Sequence, residues 1–277
     1  QTNHDGYSNS LLLFYNICII ISCSYFVKIC SLTNKEENMG FIERDYKVDI
    51  MHIGTSNLIT NYGILCLLED IATVHSDIAG YGIAQIPFTH VSWILLNWKV
   101  SLFKRVAFGD MVKVKTWSVP YNELFTYRNF EIYDNDNNLI CIASSKWTLV
   151  NSDTKTLTKI TKEIGLSYEP EDKLVFDKIE IAKLKEPSNV EHTFSFNVLR
   201  RDIDFNNHMH NLYYLLYAYE ALPKEIYEKG ELDNFEIMYK NGSMLGEKID
   251  CYYSYENNAH YVVMKTDNKL HAIIKLY

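Results

Sequence analysis

Asp204, Asn206 and His208 stand at spacing two within the run Arg200-Arg201-Asp202-Ile203-Asp204-Phe205-Asn206-Asn207-His208-Met209-His210-Asn211. In an extended segment that spacing points three side chains the same way. A carboxylate, an amide and an imidazole then share one small volume. These types suit hydrolysis: His moves protons near neutral pH, Asp fixes its tautomer, and Asn donates to a carbonyl oxygen. An Asp/Asn/His-rich loop before a helix is also a common capping loop, so spacing alone leaves both readings open. His208 and His210 form a His-x-His pair of the kind that binds metal. No third ligand is recognisable, and neither a metal nor a cofactor is expected.

The elements that must position this cluster follow from the pattern around it. Leu212, Leu215, Leu216, Tyr219 and Leu222 share one helical face, and Pro223 marks the end of that helix. The polar cluster therefore sits just before a helix start, where free amide groups could help hold a developing oxyanion. The strand expected before it is His192–Val198. Those expected after it are Asp233–Lys240, Lys248–Tyr255, His260–Thr266 and Leu270–Leu276.

The same order is legible upstream. A strand over Tyr46–Ile50 precedes a long buried helix over Leu58–Ala79, with Thr55-Ser56-Asn57 offering capping side chains. Strands His90–Leu102, Met111–Val119, Leu124–Tyr133 and Leu139–Val150 follow, separated by Gly109-Asp110 and the cluster Asp134–Asn138. Strand, helix, then antiparallel strands, twice over, predicts an α+β fold built by duplication. The first copy has Thr55–Asn57 where the second has its polar cluster. It holds all four tryptophans instead: Trp93, Trp98, Trp117 and Trp147. In such a sheet they are more often core, but some of them could line an apolar cavity against the helix. Residues 151–191 are charged and broken by Pro170 and Pro187. They read as a linker with a short helix near Thr161–Gly165 and a strand near Val175–Ile181.

The totals narrow the function. The chain has 277 residues, 47% hydrophobic and 22% charged, enough for two modest packed domains. A net charge of −8 argues against general nucleic-acid binding, and an acidic partner would need a local basic patch. Lys104-Arg105, Lys113, Lys115 and Arg200-Arg201 could supply one, although each alone reads as a solvated strand edge. The six cysteines show neither metal-ligand spacing nor a dense disulfide framework, which fits a reducing cytosol. There is no nucleotide-binding glycine loop and no G-x-S-x-G elbow. Leu11–Cys30 is almost wholly apolar and long enough to span a bilayer, but lacks the basic flank and cleavage site of a secretory signal. The expected organisation is 1–38 as an apolar extension, 39–150 and 192–277 as the two domains, and 151–191 between them. The preferred reading starts the protein at Met39 in the cytoplasm; the alternative is membrane anchoring through 11–30.

Asp204-x-Asn206-x-His208-x-x-Asn211, followed by Tyr214, Glu220 and Pro223, resembles the D-x-N-x-H-x-x-N…Y…E…P block of the acyl–acyl carrier protein thioesterases of plants and bacteria. The first half resembles the same family through Trp93, Trp98, Lys99, Gly109, Asp110, Thr116-Trp117, Arg128, Phe130, Ser145 and Trp147. The likeness runs from about Phe41 to the C-terminus. It implies two tandem hotdog domains, each a long helix wrapped by an antiparallel sheet. It implies hydrolysis of fatty acyl–acyl carrier protein to free fatty acid, ending chain elongation, with the carrier protein as partner and a homodimer left open. Asp204, Asn206 and His208 take the catalytic positions, and Trp93 and Trp98 fall in the half that shapes the acyl pocket.

One position departs. After the catalytic helix the family usually carries Y-K/R-x-E, with the Glu taking part in catalysis and Cys often following in plants. Here Tyr239-Lys240-Asn241 leads to Gly242 and Ser243. Glu236 and Glu247 lie nearby but off position. Gly242 favours a rival reading, a non-catalytic acyl-chain or carrier-protein binder. A hydrolase of coenzyme A thioesters is the third.

Overall fold

The computed structural model describes residues 40–120, 122–267 and 269–277. The expectations for 1–38, including the anchor at 11–30, lie outside the described residues. No described helix is long and apolar enough to cross a membrane.

In chain order the first half contains strand β1 (Phe41–Lys47), helix α1 (Asn61–Ile78), and strands β2 (Val91–Leu102), β3 (Met111–Val119), β4 (Thr126–Asp134) and β5 (Leu139–Asn151), with a short β6 (Leu157–Thr158) beside β5. The second half contains β7 (Glu191–Asn197), helix α2 (Asn211–Glu220), β8 (Asn234–Tyr239), β9 (Lys248–Glu256), β10 (Ala259–Thr266) and β11 (Lys269–Leu276). The strands join one antiparallel sheet in the order β1-β3-β4-β5-β2-β8-β11-β10-β9-β7. Each half uses the same internal order, and the second runs reversed from a seam where β2 pairs β8, Asn97 opposite Met238 through Ser101 opposite Asn234. The duplication expected from element order is therefore present in the topology.

Helix α1 forms because Ile64, Leu65, Leu68, Ile71 and Ala72 fall on one stripe, all buried. Its 18 residues make it about 27 Å long. Its cap is Thr60, whose hydroxyl accepts from the Gly63 amide at 2.9 Å, and not Thr55–Asn57. Leu58 and Ile59 are held outside the helix by bridges to Ala107 and Ile53, so the chain turns later than the side-chain types suggest. One apolar core runs through both halves: Ile64, Leu68, Trp98 and Phe130 belong to the same cluster as Leu215, Phe235 and Ile274. Each such side chain contributes roughly 1.5–3 kcal/mol on burial.

The linker departs from expectation in one place. The short helix is present at Lys162–Leu166, capped by Thr161. The strand near Val175–Ile181 is not, and these residues make no ladder. Val175, Ile179 and Ile181 instead pack as irregular chain around Trp117, satisfying the apolar run without pairing.

Candidate active site

The loop between Ile203 and Met209 is closed by an antiparallel bridge between those two residues. Asn207 sits at its tip with φ +61°, in the left-handed region that Asn tolerates. Asp204 Oδ1 accepts from the amides of Asn206 at 2.8 Å and His208 at 3.2 Å, and the Asp204 amide donates to the His208 carbonyl at 2.8 Å. This corrects the expected geometry in two ways. The segment is a tight turn, not an extended strand. Asp204 fixes the backbone of the turn and makes no hydrogen bond to the imidazole, because a short Asp side chain captures amides two and four residues on.

His208 is oriented from its own loop. Its Nδ1 lies 2.9 Å from the Asn206 carbonyl oxygen, which can only accept, so Nδ1 carries the proton. In the neutral ring Nε2 is then an acceptor. The ring is exposed at the cavity side and lies on Gly242. A Cβ built at Gly242 would stand 2.6 Å from His208 Cδ2 and 3.3 Å from Nε2. Gly242 does not have a positive φ; what its missing side chain leaves is room for the imidazole. The Asn206 side-chain amide has no hydrogen-bond partner among the described residues and lines the same cavity.

Behind Gly242 a buried polar chain fixes the strand end. Ser243 Oγ lies 2.9 Å from Tyr214 Oη and 2.8 Å from His271 Nδ1, and His271 Nε2 lies 2.7 Å from Thr266 Oγ1. Ser243 and His271 are fully buried. Ser243 is therefore a strut, and its carbonyl accepts from the Met209 amide at 2.8 Å, tying the loop to the strand.

The loop opens on a cavity of about 430 Å³ that reaches from Asp204, Asn206 and His208 across α1 to Trp93, Arg128 and Tyr168. That volume is within the usual range of a small-molecule site. Trp93 is a wall residue, its indole donating to Tyr168 Oη at 2.7 Å. Trp147 also lines the space; position in sequence alone did not single it out. Trp98 does not line it. Its ring is fully buried against Phe130, centroids 5.3 Å apart. The wall contributed by β2 runs from Ser92 to Leu96, and past the bulge between Leu95 and Asn97 the strand enters the core. At the far end Arg128 is buried, its Nη1 donating to His75 Nδ1 at 2.7 Å, with its guanidinium 5.6 Å from the Tyr168 ring centre. Burial lowers the Arg128 pKa to about 10, and burial followed by the Arg128 charge drives His75 far below the ordinary imidazole range, so His75 is neutral.

Glu69 of α1 also faces this cavity, and sequence reasoning missed it. Its Oε1 is buried without a partner and its Oε2 lies 3.7 Å from His210 Nε2. His210 caps α2, its Nδ1 accepting from the Leu212 amide at 3.3 Å, so the Nε2 facing Glu69 is the protonated nitrogen. Burial, then the Asp204 charge, raises the Glu69 pKa to about 8. The signal was available: Glu69 falls four residues after Leu65 and three before Ala72, on the buried stripe of the helix. Glu236 and Glu247 are elsewhere. Glu236 pairs with Lys275 at 3.1 Å, and Glu247 accepts from the Met244 amide at 2.8 Å.

Most of the suggested basic residues are neutralised within the fold. Lys104 pairs with Asp134, Arg105 with Glu231 and Asp233, and Lys113 and Lys115 with Glu43. Arg201 contacts the buried Asp202 at 3.6 Å. Arg200 and Lys240 are exposed, Lys240 at the rim of the cavity.

Comparison with known proteins gives a consistent picture. The family model of the acyl-ACP thioesterase N-terminal domain matches residues 40–168, and that of the acyl-ACP thioesterase C-terminal domain matches residues 185–275. The chloroplastic oleoyl-acyl carrier protein thioesterase 2 of Arabidopsis thaliana is 27% identical over 226 residues, covering 76% of this chain and 60% of that protein. The chloroplastic oleoyl-acyl carrier protein thioesterase of Coriandrum sativum is 26% identical over 245 residues, covering 81% and 64%. The chain thus spans less than two thirds of the length of these relatives. Among solved structures, an acyl-ACP thioesterase from Bacteroides thetaiotaomicron superposes with a TM-score of 0.78 at 21% identity, covering 87% of this chain and 99% of that one. The 12:0-ACP thioesterase from Umbellularia californica gives 0.77 at 16%, covering 88% and 98%.

Proposed function

The chain belongs to the acyl-ACP thioesterase family, and we propose on that basis that it hydrolyses the thioester of fatty acyl–acyl carrier protein, releasing free fatty acid and ending chain elongation. The observation that carries this reading is the loop pinned by Asp204. It presents the unpartnered Asn206 amide and the Nε2 lone pair of His208 at one end of a cavity with aromatic walls.

In this reading the acyl chain lies along Trp93 and Trp147, and the thioester carbonyl sits at the loop. Asn206 polarises the carbonyl oxygen, helped by amides at the start of α2. His208 Nε2 accepts a hydrogen bond from a water and aims it at the carbonyl carbon. The water oxygen bonds to carbon, a base takes its proton, the C–S bond breaks, and the sulfur leaves as the carrier's thiol. Asp204 keeps the loop in shape and acts on His208 through the backbone. Residues 39–150 form the pocket half, 151–191 the linker and 192–277 the half that carries the polar loop. Lys240 and Arg200 meet the acidic carrier protein. The described cysteines Cys66, Cys141 and Cys251 are free, which supports a cytosolic site of action.

Thiol release from matched acyl-carrier-protein and acyl-coenzyme A substrates across chain lengths tests the proposal. The expected result is faster turnover of the carrier-protein thioesters. Faster coenzyme A turnover would reassign the substrate. Tight acyl-carrier-protein binding with no thiol release would mark a binder, the reading Gly242 favours.

A further inference from the structure

We infer that Glu69 is the catalytic carboxylate of this site and takes the proton from the attacking water, an inference that rests on the thioesterase reading above. The cavity needs a base, and position 242 supplies none: it is glycine, and the His208 ring lies where a Cβ would enter. Among the described residues that line the cavity, the carboxylates are Asp204 and Glu69. Asp204 is anchored in the turn through Oδ1, which accepts from two loop amides. Glu69 keeps Oε1 buried and unpartnered while its side chain retains 19% exposure, so the group opens to the cavity and not to the core. It approaches the polar loop from the opposite half of the fold, within 3.7 Å of His210 Nε2. A carboxylate supplied by α1 thus replaces one supplied by the strand after α2.

The step balances. A water O–H bond breaks, its proton passes to a Glu69 oxygen, and the water oxygen bonds to the carbonyl carbon. The adduct collapses with cleavage of C–S, and the departing thiolate takes the proton from Glu69. The groups facing Glu69 are Asp204 and His210 from the loop and Tyr239 from β8, with Tyr62 and Cys66 on its own helix. Burial and the Asp204 charge bring its pKa to about 8, close to neutrality as a general base requires. The base form is the ionised one, so the rate should rise with pH and level off above about 8.

The test is thiol release from acyl-carrier protein between pH 6 and 9. Wild type should show a rising limb in log kcat/KM. Glu69→Gln should lower the plateau at least about 100-fold, the scale of a lost general base, and abolish the limb. Glu69→Asp, which withdraws the carboxylate by one methylene, should keep the limb while kcat falls at least about 10-fold and KM changes little. A folded Glu69→Gln protein with wild-type rate, or with a lower rate and an unchanged limb, overturns the assignment. So does an unchanged kcat in Glu69→Asp, which carries the test should the Gln variant not fold. A wild type that hydrolyses no thioester sinks the thioesterase reading itself, a result distinct from each of these.

Discussion

His208 owes its orientation to two neighbours that carry no charge, the Asn206 carbonyl at Nδ1 and the bare backbone of Gly242 under the ring. Removing the ring in His208→Ala should lower kcat by about 100-fold, the effect of losing water placement, with the melting temperature nearly unchanged because the residue is exposed. Restoring a family-like Glu at position 242 looks attractive from sequence but displaces the His208 ring. Even Gly242→Ala puts a Cβ 2.6 Å from Cδ2, so the imidazole must swing out of place. We expect Gly242→Ala to fold and to lose at least about 10-fold in kcat; wild-type turnover would show that the ring need not rest there. Residue types at the site were legible in the sequence, and their arrangement was not. The spacing of Asp204, Asn206 and His208 suggested a shared strand face, whereas an Asp side chain bonding to amides ahead of it closes a turn. Trp98 was misplaced because a bulge cannot be read from apolar types. Glu69 was hidden inside an apolar helix pattern, where a charge looks like an interruption.

At the scale of elements, strands and helices were recovered nearly in full, since alternation and helical stripes persist over long segments. Their ends were not, because caps and bridges decide them. Thr60 caps α1 while Leu58 bridges to Ala107 and the Ile59 amide donates to the Val106 carbonyl, and no local pattern encodes a distant partner. The start of α1 is also where the two halves are bolted together. Arg105 donates to the Ile59 carbonyl at 2.8 Å, the Asn61 side chain at 2.9 Å and Glu231 at 3.2 Å, and the fully buried Asn61 donates to Tyr219 Oη at 2.8 Å and the Leu232 carbonyl at 2.7 Å. Arg105 is 14% exposed and Glu231 25%, so breaking the pair leaves a carboxylate that burial already penalises with only the Asn61 amide as donor. Arg105→Ala should cost about 3 kcal/mol, the low end for breaking a mostly buried ion pair. Urea titration would measure it, and a loss below about 1 kcal/mol would place the pair with weak surface bridges.

Over the whole molecule, the two hotdog halves share one sheet and one core, and the cavity takes its polar loop from one half and Glu69 and the aromatic wall from the other. Such a shared site has an energetic consequence. Glu69 has an unfolded pKa near 4.5 and a folded pKa of about 8. Between these values the unfolded chain has released a proton that the folded protein still holds. The folded state binds more protons, so stability falls as pH rises through that window. The penalty accumulates at about 1.4 kcal/mol per pH unit before relaxation reduces it. Glu69→Gln mimics the protonated side chain and removes the penalty. The variant should therefore melt at least about 5 °C above wild type at pH 8, with the gap narrowing toward pH 5, where wild-type Glu69 is neutral when folded. Calorimetry at matched ionic strength reads both ends of that range. A gap independent of pH would mean that the gain comes from packing and that Glu69 is ionised in the folded protein throughout. A gap that closes on acidification would tie the loss of stability to ionisation of the Glu69 carboxylate, the form the proposed catalytic step uses.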